Sequence, residues 1–100
     1  MDMLMIVFRT SLKEPVHELL RKCEVKAYTE IPGTIGTGQS GSTEGGSFYA
    51  GGNTVILASL EPAQRDKVAG AVTDWCAQAK QAGWVKPVIR VFSWPCTQLI

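Results

Sequence analysis

The segment PGTIGTGQSGSTEGGSFYAGGN, Pro32 to Asn53, carries eight of the ten glycines in the chain: Gly33, Gly36, Gly38, Gly41, Gly45, Gly46, Gly51 and Gly52. Interleaved with Ser, Thr and Gln, it lacks the apolar residues that a core requires. A connection of this length in a small domain is a functional loop or a flexible one. Phe48 and Tyr49 interrupt it and are expected to pin its far end. The fold then depends on what stands on either side.

Upstream, Leu4 to Phe8 is an unbroken run of apolar residues, the pattern of a strand buried on both faces. Ser11 and Glu14 have the spacing of a capping box, and Pro15 suits a first helical turn. A helix is therefore expected from about residue 12. Val16, Leu19, Leu20 and Cys23 recur at i, i+3, i+4 and i+7, which makes one buried stripe and leaves His17, Glu18, Arg21 and Lys22 facing water. From Val25 to Ile31 the period changes to two, predicting a half-exposed second strand.

Downstream, Thr54 to Leu60 reads as another strand. Glu61-Pro62 opens a second helix whose stripe is Val68, Ala71, Val72, Trp75 and Ala79, and Gly83 falls where a left-handed C-terminal cap belongs. Val88 to Phe92 forms the last strand, and Trp94 to Ile100 a short tail. The order β-α-β-β-α-β predicts an α+β, ferredoxin-like sandwich over residues 1–100, with two helices on one face of a four-stranded antiparallel sheet. In that topology the first and third strands are central. Since both lack polar alternation, the sheet face away from the helices would present Met5, Val7, Val55 or Leu57, depending on register. Burial of that face in a symmetric homo-oligomer, or beneath the C-terminal tail, removes the exposed patch.

With 10 basic and 9 acidic residues, the net charge of +1 gives no nucleic-acid footprint. The N-terminal apolar run is too short to cross a membrane and has no basic segment before it, so neither membrane insertion nor a secretory signal is expected. Cys23, Cys76 and Cys96 are odd in number and widely spaced, which fits reduced thiols in the cytoplasm rather than a disulfide framework or a zinc motif. Cys23 and Cys76 read as small core residues, and Cys96 as a thiol outside regular structure. His17, the single histidine, has no nucleophile or orienting group beside it, so neither a catalytic residue nor a metal site is assigned.

The strand ending Tyr28-Thr29-Glu30-Ile31-Pro32-Gly33, followed by the loop Ile35-Gly36-Thr37-Gly38-Gln39-Ser40-Gly41 and by a strand and a helix, resembles the PII-like superfamily over nearly the whole chain. The resemblance implies a homotrimer and a regulatory or sensor protein. It implies a small anionic ligand, an adenine nucleotide among the candidates, in clefts between subunits. The loop at 32–53 would correspond to the T-loop, which contacts protein partners. The connection Gly83-Trp84-Val85-Lys86-Pro87 departs from the pattern, because PII proteins carry there a glycine- and basic-rich loop that grips ATP phosphates. An oligomeric adaptor without a metabolite, and a metal-handling protein of the CutA-like branch using Cys96 or His17, share the fold and remain alternatives.

The candidate ligand residues follow from both readings. Gly36, Gly38 and Gly41 form a G-x-G-x-x-G pattern around Gln39, and with Gly33 they allow backbone amides to approach an anion. No helical periodicity follows, which excludes a dinucleotide-binding turn and leaves a loop without ligand as the alternative. Arg9, Lys86 and Arg90 lie at or near strand ends, and two of them could converge on a phosphate in the inter-subunit cleft that the resemblance implies, a solvated or salt-bridged surface being the alternative. By resemblance, Thr29 is placed for a ribose or base contact.

Overall fold

The computed structural model describes residues 1–38, 41–42 and 52–100. Strand β1 (Asp2–Arg9) leads through a short 3-10 turn at Thr10–Leu12 into helix α1 (Lys13–Lys22). Strands β2 (Thr29–Thr34), β3 (Thr37–Gly38), β4 (Gly41–Ser42) and β5 (Asn53–Leu60) follow, then helix α2 (Pro62–Gln81) and strand β6 (Ile89–Pro95). The main sheet has the order β2-β5-β1-β6, antiparallel throughout, as the ferredoxin-like reading predicts.

The sheet has one face under the helices and one open face. Leu4, Ile6 and Phe8 alternate inward from β1, and Thr54, Ile56, Ala58 and Leu60 do so from β5. Val16 and Leu20 of α1 and Val68 and Val72 of α2 close over them. Burying a side chain of this size stabilises the fold by roughly 1.5–3 kcal/mol. The register puts Met5 between Leu57 and Phe92, and Val7 between Val55 and Arg90. All four residues anticipated for the open face therefore occupy it together. The tail does not cover it: Ile31, Phe92 and Trp94 remain 44%, 47% and 43% exposed, and Leu99 and Ile100 are exposed beyond them. Strand β6 also runs on to Pro95, so Trp94 belongs to the sheet, and the Cys96 amide donates to the Met1 carbonyl at 3.1 Å.

Several local expectations change. The Ser11–Glu14 capping box is not formed, because Ser11 lies inside the 3-10 turn and Leu12 occupies the N-cap without a side-chain hydrogen bond. Residues 25–28 are not a strand. Both helices instead end in the same 6→1 backbone motif: Trp84 N–H donates to Ala79 O after Gly83 (φ +74°), and Val25 N–H donates to Leu20 O after Glu24 (φ +62°). Val25 is thereby committed to the end of α1. Gln64 Nε2 of α2 bonds the Cys23 and Glu24 carbonyls and fixes that turn. Cys23 is buried as expected, whereas Cys76 is only half-buried.

Candidate functional site

At one end of the sheet the last residues of β1 and β2 meet the first residues of β5 and β6, and the glycine-rich segment enters and leaves there. Thr34 Oγ1 donates to the Asn53 carbonyl at 3.0 Å, and Thr10 N–H donates to the Gly52 carbonyl at 3.0 Å. The Thr10 and Thr54 hydroxyls share a hydrogen bond of 2.9 Å. Gly52 has φ +62°, and a β-carbon on it would stand 2.7 Å from the Thr34 carbonyl oxygen. The two legs of the segment are thus fastened at their base, and Gly52 is required there for both conformation and space.

Gly33 (φ +71°) stands within the register shift between Ile31 and Thr34, where β2 bulges. Gly36 packs near Asn53, whose Nδ2 would lie 3.2 Å from a β-carbon at that position. Gly38 pairs with Gly41, and Thr37 with Ser42, as a small antiparallel ladder. The described part of the G-x-G-x-x-G pattern is therefore engaged in strand pairing and is not the mouth of a helix. Gln39, and the anchoring expected from Phe48 and Tyr49, lie outside the described residues.

The register separates the three candidate cations. Arg90 stands opposite Val7, and Arg9 is two residues further along β1 on the same open face, so the two are diagonal neighbours about 7 Å apart. Arg9 shares its row with Asn53, itself opposite Thr34. Lys86 instead lines a cleft on the helix side, between α2 and β6. Thr29 is on the open face but pairs with Leu57, four residues along β5 from Asn53, or about 13 Å at the rise of a strand. Within one chain, then, Arg9, Arg90, Gly33 and Gly36 gather at the loop end, and Thr29 and Lys86 do not.

His17 is not the free surface residue that its charged neighbours suggest. Its Nε2 bonds the Glu30 carboxylate, whose other oxygen is 3.8 Å from Lys13 Nζ, and the Tyr28 ring lies 6.0 Å away between centroids. Helix α1 is thereby tied to the strand that feeds the glycine-rich segment. A spacing of thirteen residues between His17 and Glu30 carries no periodic signal, so the sequence offers no means of finding it. Among the described residues, no group of three or more His, Cys, Asp or Glu side chains could hold a metal ion, and no helix is long and apolar enough to cross a membrane.

No protein-family model matches the chain, and no curated protein does. Solved structures do match. The nitrogen regulatory PII-like protein CPII from Thiomonas intermedia K12, bound to ADP and bicarbonate, aligns with a TM-score of 0.66 at 22% identity, covering 93% of this chain and 84% of that one. A PII-like protein from Thermus thermophilus aligns with the same TM-score at 13% identity, covering 93% and 82%. The apo form of CPII gives 0.56 at 17% identity, covering 93% and 87%. The chain has the PII-like fold. Within the PII-like fold, the fastened segment at 32–53 is the long connection between the second and third strands of the main sheet. Arg9 and Arg90 lie at its foot.

Proposed function

We propose that this is a PII-like regulatory protein that senses a small anion at the loop end of the sheet and signals through the segment at 32–53. The observation that carries the reading is the diagonal placement of Arg9 and Arg90 on the open face, beside the base of that segment. Two arginines on neighbouring strands at the end of an apolar face favour a bound anion, the more so once that face is buried against other copies. A homotrimer buries it by closed symmetry and sets the clefts between subunits. Arg9 and Arg90 would hold the anion. Gly33, Gly36, Gly38 and Gly41 would let backbone amides approach, with Gln39 as a further candidate from the sequence and Thr29 contributed for a ribose or base. Lys86, on the other side of the sheet, would reach such a cleft only from a neighbouring copy. CPII is bound in one solved structure to ADP, AMP and bicarbonate, which makes adenine nucleotides with bicarbonate the first ligands to try. A cytoplasmic location suits a sensor of such metabolites.

Native mass spectrometry and thermal melts with ADP, AMP and bicarbonate, singly and together, test the proposal. A trimer whose melting temperature rises by several degrees with nucleotide, and no longer rises in Arg90→Ala, is the expected result. An intact trimer that responds to none of these anions would sink the sensor reading. If deletion of residues 36–50 then abolished capture of a protein partner, the adaptor reading would take its place.

A further inference from the structure

Strand β2 is held to the helices by few side chains. None of its residues is buried, and only Glu30 and Thr34 are half-buried, whereas every second residue of β1 is buried. Thr34 fastens the far end to Asn53. At the near end residues 25–28 form no strand, so the anchorage falls to Glu30, which stands opposite the buried Ile56 and faces the helices.

There the Glu30 carboxylate is taken from two positions on one helix. One oxygen bonds His17 Nε2, and the other lies 3.8 Å from Lys13 Nζ, one turn earlier on the same face of α1. The side chains of His17 and Glu30 are 33% and 22% exposed, so the pair is partly withdrawn from water and its charge state counts for more than that of a fully solvated pair. His17 still meets solvent, because it lines a cleft of about 460 Å³ with Val25 and with Tyr28, whose ring centroid is 6.0 Å away. A proton can therefore reach the ring without any movement of the strand.

The titratable and charged groups around His17 are Lys13 and Arg21 on its own helix, Glu24 and Lys26 in the turn that follows, and Tyr28 and Glu30 on the strand side. Arg21 is itself bonded to Glu18. Of these residue types, histidine alone ordinarily changes charge between about pH 5 and 8. As imidazolium, His17 donates to Glu30 with a full opposite charge. As neutral imidazole it offers at most a neutral donor, a weaker bond to the same carboxylate. Lys13 stays beside that carboxylate in both states, so loss of the proton slackens the tie without stranding Glu30.

We propose that His17 is a pH-sensitive latch on the stem of the glycine-rich segment. Protonated, it holds Glu30 and with it β2 against α1; neutral, it lets the strand part from the helix. The latch is tight below the histidine range and slackens as pH rises through it. Glu30 is the second residue of β2 and the bulge at Gly33 lies three residues on, so the slackening is felt where the segment begins. The latch acts from the helix side of β2. It works whether or not another copy pairs along that strand, and it does not depend on the anion proposal.

The test is amide hydrogen exchange of the full chain from about pH 5.5 to about pH 8, corrected for the intrinsic pH dependence of exchange. Expected is an opening of β2 about fivefold more frequent at the upper end, with the amides of β1 unchanged. His17→Arg, charged throughout, should keep β2 at the low-pH level. His17→Gln, which donates but does not titrate, should keep it at the high-pH level. The parent profile decides the matter even where a variant folds poorly: a β2 that opens equally often at both ends, or more often in acid, overturns the proposal. So does a pH response that survives in a folded His17→Gln. A response shared equally by β1 also overturns it, because His17 would then contribute to global stability and would not act on this strand.

Discussion

At the β2 edge the sheet is blunted: Pro32 brings no donor, the bulge at Gly33 breaks the register, and Glu30 is held from α1 by His17 and Lys13. At the β6 edge, three alternate residues direct their amides and carbonyls outward, and a cleft opens beside them. An unpaired edge invites another strand, and proteins usually suppress it with the devices seen along β2. The contrast teaches that edge protection here is one-sided. The edge that feeds the glycine-rich segment is blunted, and among the described residues no strand lies beside the far edge.

The largest expected effect tests whether the cleft is a hollow in an otherwise sound core. Leu4→Ala deepens its floor beneath β6 and should cost about 2–5 kcal/mol by urea unfolding. A loss below about 1 kcal/mol would mean that the wall of β6 collapses to fill the space, and that the two edges are less different than they look.

The next test concerns the base of the loop at the β2 edge. Gly52→Ala sets a β-carbon against the Thr34 carbonyl and should cost about 1–3 kcal/mol, more than Gly33→Ala, whose β-carbon would meet nothing within 4 Å. Equal melting temperatures for the two variants would show that the legs are not fastened at Thr34. Glu24→Gly, in the turn leading to β2, relieves a left-handed non-glycine residue and should raise stability by about 1 kcal/mol. A fall instead would mean that the 6→1 motif is not what ends α1.

The smallest effect lies away from both edges. The Arg21 guanidinium bonded to Glu18 holds that carboxyl below its ordinary range. Because the folded-state value is depressed, the contribution is present above the unfolded carboxylate range and disappears as pH falls through the lowered value. Both groups are on the surface, so Glu18→Gln should leave the melting temperature nearly unchanged at neutral pH, and the variant and parent should coincide in acid. A large neutral-pH loss would give this surface pair a role that exposure does not predict.

Much of the architecture is legible in the periodicities. The run Leu4–Phe8 reads as buried on both faces because its outward residues, Met5 and Val7, are apolar too, and both lie on the open face that the topology requires. Gly83 and Pro62 mark the ends of α2 as read. Less visible is whatever depends on register. Lys86 and Arg90 look equivalent in the sequence and lie on opposite sides of the sheet, since four residues and the entry into β6 decide which way each faces. The end of α1 is hidden because Glu24 does the work of a glycine, and the alternation from Val25 to Tyr28 then imitates a strand. The Thr34–Asn53 and His17–Glu30 contacts join residues that no local pattern connects.

The ladder between β1 and β6 joins Phe8 to Ile89 and Asp2 to Pro95, residues far apart in the sequence. During synthesis, β1 is therefore a central strand that must wait for nearly all the other elements before its second neighbour exists. Until then β1 is itself an edge strand, with the place of β6 beside it empty. Non-local pairing of this kind slows folding and leaves an apolar edge open to other chains in the interval. The nascent chain is most vulnerable to mispairing along the border of β1 that β6 later occupies.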